Sequence, residues 1–141
     1  MTSVNVSTKL STTKFLCTSN GLIFSYIDHE GSKATMYVCS YLDLIKSINS
    51  GLIQGIHNTQ IACAFAIVLA ARSLDKYDNK YYSKLLKISL DIESLNKNNL
   101  SHIVKRMLTI GDEADGLSNG KCIVVKSMIL EANRIQNEMI V

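Results

Sequence analysis

A glycine turn ahead of an apolar stretch is the part of this sequence whose residue types could bind a ligand. Residues 53–74, IQGIHNTQIACAFAIVLAARSL, place Gly55 shortly before an unbroken apolar run over residues 61–71. The N-terminus of a helix offers unpaired backbone N–H groups and the positive end of the helix dipole, and anions bind there. The candidate ligand-binding residues are therefore Gln54, Gly55 and His57, and the ligand would be an anion.

A second interpretation of this turn remains open, in which Gly55 only lets the chain change direction. Gln54 carries no charge and Ile56 is bulky, and both properties count against a phosphate cradle. His57 has no neighbouring acid or nucleophile in the sequence, so a surface or capping role is favoured over catalysis. We therefore expect no catalytic residue, no cofactor and no metal site in this chain.

The cysteines do not form a metal-binding pattern. Cys17, Cys39, Cys63 and Cys122 include no CxxC pair. Cys17 and Cys39 fall on predicted neighbouring strands, which leaves a disulfide open, but reduced thiols are favoured for a protein of the cytoplasm. Cys63 lies inside the apolar run, where a free cysteine behaves as a small hydrophobic residue.

Two groups of charged residues are predicted to be solvated surface. The glycine-rich residues 111–120 predict a loop whose carboxylates lack the ligand spacing of a calcium-binding EF-hand. These carboxylates belong to Asp112, Glu113 and Asp115. The adjacent pair Lys105 and Arg106 is typical of a helix face exposed to water.

The overall composition indicates an ordinary globular domain. The 141 residues are 47% hydrophobic and 19% charged, which excludes a disordered chain. The net charge is +3, but the 15 basic residues are spread along the sequence, which argues against nucleic-acid binding. The apolar run is shorter than the roughly 20 residues that cross a bilayer, so it predicts a fully buried helix and no membrane association. The N-terminus lacks the apolar segment of a signal peptide, and we expect a cytoplasmic location.

The pattern of short apolar segments predicts a sheet at the start of the chain. Residues 1–13 are rich in serine, threonine and asparagine and are expected to be flexible, whereas residues 14–141 are expected to form one domain. Residues 14–40 predict a three-stranded antiparallel meander, because glycine-containing turns separate the segments. Asn20-Gly21 forms the first turn, since both residue types tolerate a positive φ. The strands are expected at residues 14–18, 22–27 and 34–40.

From residue 41 the apolar spacing becomes helical, which predicts a bundle of about five helices over residues 41–141. The first helix ends at the stop signal NSG of residues 49–51. The second contains the apolar run, with Asn58 or Thr59 as its N-cap. The other three are expected at residues 82–95, at residues 100–108 after a cap at Asn98 or Asn99, and at residues 125–139. The predicted fold class is therefore α+β.

The last predicted helix carries an apolar stripe that has two interpretations. Its members are Val125, Met128, Ile129, Ala132, Ile135 and Met139. The stripe packs either within its own bundle or against a partner, and the second case would leave an exposed apolar patch that drives association. Both alternatives stay open at the level of the sequence.

Several strings resemble one protein family in the same order along the chain. They are NGLIFSYIDHEG of residues 20–31, QG of residues 54–55, NL of residues 99–100, IVKRM of residues 103–107 and LEANRIQNEMIV of residues 130–141. Together they resemble the N-terminal domain of the methylthioribose-1-phosphate isomerase family, which is related to the alpha, beta and delta subunits of translation initiation factor 2B. The resemblance covers nearly the whole chain but only the N-terminal part of that family.

The resemblance also implies which functional residues are missing. The family's phosphate-binding arginine in the glycine turn is replaced by Gln54, its following Ala-Pro by Ile56-His57, and a second arginine aligns with Ser94. The family's catalytic cysteine and aspartate lie in a later nucleotide-fold domain, so none of the four cysteines here inherits that role.

Three functions are therefore expected, in order of preference. The first is a non-catalytic binding or assembly module that associates with itself or with a protein partner carrying a nucleotide-fold domain. The alternative is a subunit or fragment of an aldose-ketose isomerase acting on a phosphorylated sugar such as methylthioribose 1-phosphate, with its catalytic residues on another domain or chain. The third is an interaction domain of unrelated origin.

Overall fold

The computed structural model describes residues 13–74, 80–94, 100–117 and 121–140. Within these ranges an antiparallel sheet is followed by five helices, which confirms the predicted α+β class. The elements are β1 (Phe15–Cys17), β2 (Leu22–Ile27), β3 (Lys33–Val38), α1 (Tyr41–Asn49), α2 (Ile56–Ser73), α3 (Tyr81–Ser94), α4 (Ser101–Leu117) and α5 (Lys121–Ile140). The expectations for residues 1–12, Leu95, Asn98 and Asn99 lie outside the described residues.

The sheet has the strand order β1-β2-β3, and its register sets which side chains enter the core. Cys17 pairs with Leu22, and Leu22 pairs with Val38. Because side chains alternate along a strand, one face of the sheet presents its apolar residues inward. The fully or nearly fully buried residues of this face are Phe15, Leu22, Phe24 and Val38.

The first hairpin is confirmed, but the reason given for its turn was wrong. Neither Asn20 nor Gly21 has a positive φ. Thr18 closes the turn instead: its backbone N–H donates to the carbonyl oxygen of Gly21 at 2.8 Å, and its hydroxyl accepts from the N–H of Gly21 at 2.9 Å. Glycine is needed because a Cβ at residue 21 would lie 2.4 Å from the carbonyl oxygen of Val38.

We expect the substitution Gly21→Ala to lower the free energy of unfolding by about 1–3 kcal/mol, the usual cost of an overpacked site. The new methyl group would meet backbone, which cannot rotate away as a side chain can. Urea denaturation measures the change, and Asn20→Ala is the control because the Asn20 side chain is exposed. Equal stability of the Gly21→Ala variant and the wild type would contradict this explanation of the turn.

Helix α2 begins three to four residues earlier than the sequence predicted. Its N-cap is Gly55, so the assignment of Asn58 or Thr59 as the cap was wrong. Both residues lie inside the first turns of the helix and are buried. From Asn58 to Ala71 the helix is buried on all sides, which confirms the prediction made from the apolar run.

The position of α2 at the centre of the bundle explains this burial. It packs against α1, α3, α4 and α5, and many of its side chains are alanines that let neighbouring helices approach closely. Toward the sheet, the ring of Phe65 stacks on Phe15 with centroids 5.7 Å apart, and Phe15 contacts Phe24 at the same distance. The sheet and the helices therefore share one core.

The predicted loop over residues 111–120 was wrong for residues 111–117, because α4 continues to Leu117, and residues 118–120 lie outside the described residues. Glycine and acidic residues suggested a loop, but Gly111 faces α5, where a Cβ would lie 2.5 Å from the terminal methyl group of Met128. Ala114, one helical turn later, is buried as well. These small residues let α4 and α5 pack closely, while Asp112 and Glu113 lie exposed on the outer side of the helix.

The apolar stripe of α5 packs within its own bundle. Val125, Met128, Ala132 and Ile135 are buried, and α5 lies against α2 and α4. Ile129 and Met139 are partly buried at the edge of the same core. The stripe therefore does not form the exposed patch that one of the two alternatives required. Among the described residues, no helix has the length and hydropathy needed to span a membrane.

Candidate functional site

The candidate site lies where the loop after α1 enters α2. Gly55 adopts φ 94° and ψ 153°, and its carbonyl oxygen accepts the N–H of Thr59 at 3.0 Å. Among the described residues no side chain caps the helix at this end, and its first turn contains no acidic residue. The first turn of this 18-residue helix therefore supplies no carboxylate to offset the positive end of the helix dipole.

Gln54 is used to close the loop between α1 and α2. Its side-chain amide Nε2 donates to the carbonyl oxygen of Gly51 at 2.7 Å. Gly51 itself has a φ of 88°, and the chain reverses here directly after α1. The side chain of Gln54 is exposed, but this hydrogen bond holds it against the loop rather than over the start of α2.

The buried side chain of Asn58 holds the turn in place through hydrogen bonds, a role that the sequence did not predict. It is 5% exposed, its Nδ2 donates to the carbonyl oxygen of Gln54 at 2.8 Å, and its Oδ1 accepts the backbone N–H of Thr13 at 3.1 Å. One side chain thus joins the turn to the segment that leads into β1. The available signal was an amide side chain three residues before a fully apolar helical run, since a buried amide needs hydrogen-bond partners.

The structure brings Gln54, Gly55 and His57 together only as exposed residues of one turn. Among the described residues, His57 has no hydrogen-bond partner or ion-pair partner, and general acid–base chemistry needs a partner that orients the imidazole. Ile56, between them, is 60% exposed. The chemistry available at this turn is anion binding through backbone N–H groups and the exposed imidazole.

We expect Gly55→Ala to lower the free energy of unfolding by about 1–3 kcal/mol, because the backbone conformation of Gly55 is reached almost exclusively by glycine. The strain is conformational, since the nearest atom to an added Cβ would be the Nδ2 of Asn58 at 3.9 Å. Thermal unfolding measures the effect, and the exposed neighbour substitution His57→Ala is the control with no expected change. An unchanged midpoint for Gly55→Ala would show that the turn relaxes without cost.

The cysteines are in the free form at Cys17, Cys39 and Cys63. Arg72 donates from Nη2 to the sulfur of Cys17 at 3.1 Å, which ties the end of α2 to the sheet. Burial raises the pKa of the Cys63 thiol to about 12, as expected for an unreactive core residue. Within the described ranges, no group of three or more histidine, cysteine, aspartate or glutamate side chains is placed to hold a metal ion.

Arg106 belongs to an ion-pair network, so its prediction as part of a solvated face was wrong. Its guanidinium donates from Nε to Glu131, and from Nη1 and Nη2 to Glu138 at 2.8 and 2.7 Å. Arg134 adds a bond to Glu131 at 2.6 Å. Adjacent residues of a helix point about 100° apart, so Lys105 is exposed while Arg106 faces α5.

Electrostatics distinguish the two carboxylates of this network. Burial alone would raise the pKa of Glu131, whose side chain is 6% exposed, but bonds from Arg106 and Arg134 together bring its pKa below the usual value. Hydrogen bonds from Arg106 lower the pKa of the exposed Glu138, and the two carboxylates raise the pKa of Arg106 further above neutrality. The network is therefore fully ionised at neutral pH and joins α4 to α5.

A second polar contact joins α5 to the first strand. Gln136 is 5% exposed and makes two hydrogen bonds to Phe15: its Oε1 accepts the backbone N–H at 2.7 Å, and its Nε2 donates to the carbonyl oxygen at 3.1 Å. Phe15 lies on the edge strand β1, so the side chain satisfies the backbone as a neighbouring strand would. No local pattern in the sequence marks Gln136 for this role.

Comparisons with known proteins agree with this architecture. No protein-family model matches the chain, and no curated protein matches it. Among solved structures, it is similar to the crystal structure of the translation initiation factor eIF-2B, subunit delta, from A. fulgidus, with a TM-score of 0.74 and 18% sequence identity. The match covers 90% of this chain and 37% of that chain, so this sequence spans little more than a third of the initiation-factor subunit. At the level of the fold, the predicted resemblance to the initiation factor 2B and isomerase family is confirmed.

Proposed function

We propose that this chain is a non-catalytic binding and assembly module with the fold of one domain of the initiation factor 2B and isomerase family. The observation that carries the proposal is the 90% coverage of this chain against 37% of the delta subunit, at a TM-score of 0.74. A chain with the fold of only part of a larger subunit would act together with a further protein domain or chain. The partner is a second copy of this chain or a protein that carries a nucleotide-fold domain.

The geometry at the start of α2 supports a role without catalysis. Gln54 replaces the arginine that the resemblance predicts, and its amide is engaged with the carbonyl oxygen of Gly51. A neutral amide forms weaker bonds to phosphate than a guanidinium does, because charge-assisted hydrogen bonds are roughly twice as strong. His57 has neither an acid nor a nucleophile beside it among the described residues.

Multi-angle light scattering over a concentration series tests this proposal. The expected result is a particle larger than one chain, either for the protein alone or after mixing with a purified nucleotide-fold domain of the same family and organism. A particle of one-chain mass at every concentration, with no complex in the mixture, would refute the assembly role.

A second candidate is a subunit or fragment of a sugar-phosphate isomerase that has kept its anion site. The observation that favours it is the uncapped start of α2 at Gly55, with no acidic residue in the first turn. If the chain has this function, calorimetric titration with methylthioribose 1-phosphate or inorganic phosphate should show a heat of binding that saturates. Gln54→Arg would tighten the binding by adding a charge, whereas Gly55→Ala would weaken it. Flat titrations for both the wild type and Gln54→Arg, repeated with the nucleotide-fold domain present, would rule this function out.

A further inference from the structure

A cleft of about 420 Å³ runs between α3 and α4, and none of the residues of the α2 turn lines it. The two helices are joined at one end by Tyr82, whose hydroxyl donates to the carbonyl oxygen of Leu108 at 2.7 Å. Glu93, near the end of α3, lines the same cleft as Ser101, the first residue of α4. The helices therefore run antiparallel, and the cleft follows their shared length.

Both walls of the cleft contain apolar side chains beside polar ones. Leu90 lines the cleft and is 50% exposed, and Leu86, one helical turn earlier on the same face of α3, is 40% exposed. From α4, the buried Val104 and the partly buried Leu108 line the opposite wall. Leucines at this spacing normally face a core or a partner, since removing apolar surface from water is favourable.

The rim of the cleft is negatively charged, in contrast to the chain as a whole. Its lining residues include three carboxylates, those of Glu93, Asp112 and Glu113, and one ammonium group, that of Lys105. The complete chain carries a net charge of +3, so this acidic rim is a local feature and not a consequence of composition. A groove between helices that combines exposed leucines with carboxylates is complementary to a helix that has one apolar face and flanking basic residues.

We propose that the α3–α4 cleft binds a basic amphipathic helix of a partner protein. Apolar residues of that helix, spaced i and i+4, pack on Leu86 and Leu90, while its lysines or arginines approach the carboxylates of Glu93, Asp112 and Glu113. This inference rests on the proposed assembly function and deepens it, because it assigns a surface and a class of partner.

Fluorescence polarisation with a labelled model helix tests the proposal on the whole chain. The probe is a designed peptide of about four helical turns with leucine at i and i+4 positions and lysine on the flanks. The control peptide has glutamate in place of each lysine. Saturable binding of the basic peptide that weakens with added salt is expected, and the acidic peptide is expected not to bind.

Two variants and a matched control locate the binding surface. Glu113→Lys reverses a rim charge and is expected to weaken binding roughly fivefold or more, as for a lost surface ion pair that becomes a repulsion. Leu90→Gln removes part of the apolar wall and weakens binding to a similar extent. Glu30→Lys makes the same charge change in the exposed turn before β3 and leaves binding unchanged. Circular dichroism verifies that all three variants are folded.

Three outcomes would overturn the inference. The first is that binding of the basic peptide does not saturate. The second is that Glu113→Lys and Glu30→Lys weaken peptide binding equally. The third is that the chain self-associates, that Leu90→Gln abolishes this self-association, and that the peptide does not bind. The last result assigns the cleft to a second copy of the chain. If light scattering detects a complex whose affinity is the same for the wild type, Glu113→Lys and Leu90→Gln, the assembly function is retained but does not use this cleft.

Discussion

Replacing Arg106 by methionine is expected to lower the free energy of unfolding by about 3 kcal/mol, near the lower end of the range for breaking a buried ion pair. The substitution leaves the carboxylate of Glu131, whose side chain is 6% exposed, with Arg134 as its remaining cation among the described residues. Arg134, whose side chain is 59% exposed, still compensates part of the negative charge of Glu131. The expected loss of stability therefore lies near the lower end of that range. Urea denaturation at neutral pH measures the change.

The same variant gives a pH dependence whose sign follows from the pKa of Glu131. The folded-state pKa lies below the usual value, so the stabilisation is fully present above the unfolded-state pKa, about 4.3 for a glutamate. It is lost as the pH falls through the folded-state pKa, because the carboxylate must then be protonated. The difference in stability between the wild type and Arg106→Met is therefore expected to be constant from pH 6 to 8, and to narrow below about pH 4.

Two controls separate the network from a general effect of losing a cation. Lys105→Met removes a positive charge from the exposed neighbour and is expected to change stability by less than about 0.5 kcal/mol. The double variant Arg106→Met with Glu131→Leu removes both charges and is expected to recover much of the loss, because no charge remains buried without a partner. An equal loss for Lys105→Met and Arg106→Met would refute the network as a source of stability.

The periodic parts of the fold could be predicted from the sequence, and the close contacts between distant residues could not. The apolar run gave a central helix, and alternation with turn residues gave the bounds of β2 correctly at both ends. Gly111 was placed in a loop because glycine and neighbouring acids are frequent there. Its actual role, to let Met128 approach, depends on a helix that begins ten residues later.

For the candidate site, the position could be predicted from the sequence, but the contacts that support it could not. The turn at Gly55 lies where predicted, since it needs a backbone conformation that glycine reaches easily. The hydrogen bonds of Asn58 span 45 residues to Thr13 and four to Gln54, and no local pattern encodes the first of them. The same limit applies to Arg106, whose partners lie 25 and 32 residues away.

Gln136→Leu is expected to lower the free energy of unfolding by about 2–4 kcal/mol, because it leaves two buried backbone groups of Phe15 without partners at about 1–2 kcal/mol each. Leucine has nearly the same volume as glutamine, so the loss of hydrogen bonds dominates over any cavity. Gln136→Glu keeps an acceptor for the N–H of Phe15 but cannot donate to its carbonyl oxygen when ionised, and its instability should therefore ease as the pH is lowered. The matched control is Asn137→Leu, since Asn137 is exposed on the same helix and its replacement should be nearly neutral.

The measurement that distinguishes this contact from general destabilisation is amide hydrogen exchange resolved by residue. Loss of the Gln136 contact should increase exchange first at Phe15 and its neighbours in β1, because the side chain holds the edge strand directly. Arg106→Met should instead increase exchange where α4 meets α5, and leave β1 protected to the level set by global unfolding. If both variants raised exchange uniformly, the two contacts would act on one cooperative unit. In that case the sheet and the helices would unfold as one cooperative unit that includes α5. Any partner that binds α5 would then stabilise the whole domain.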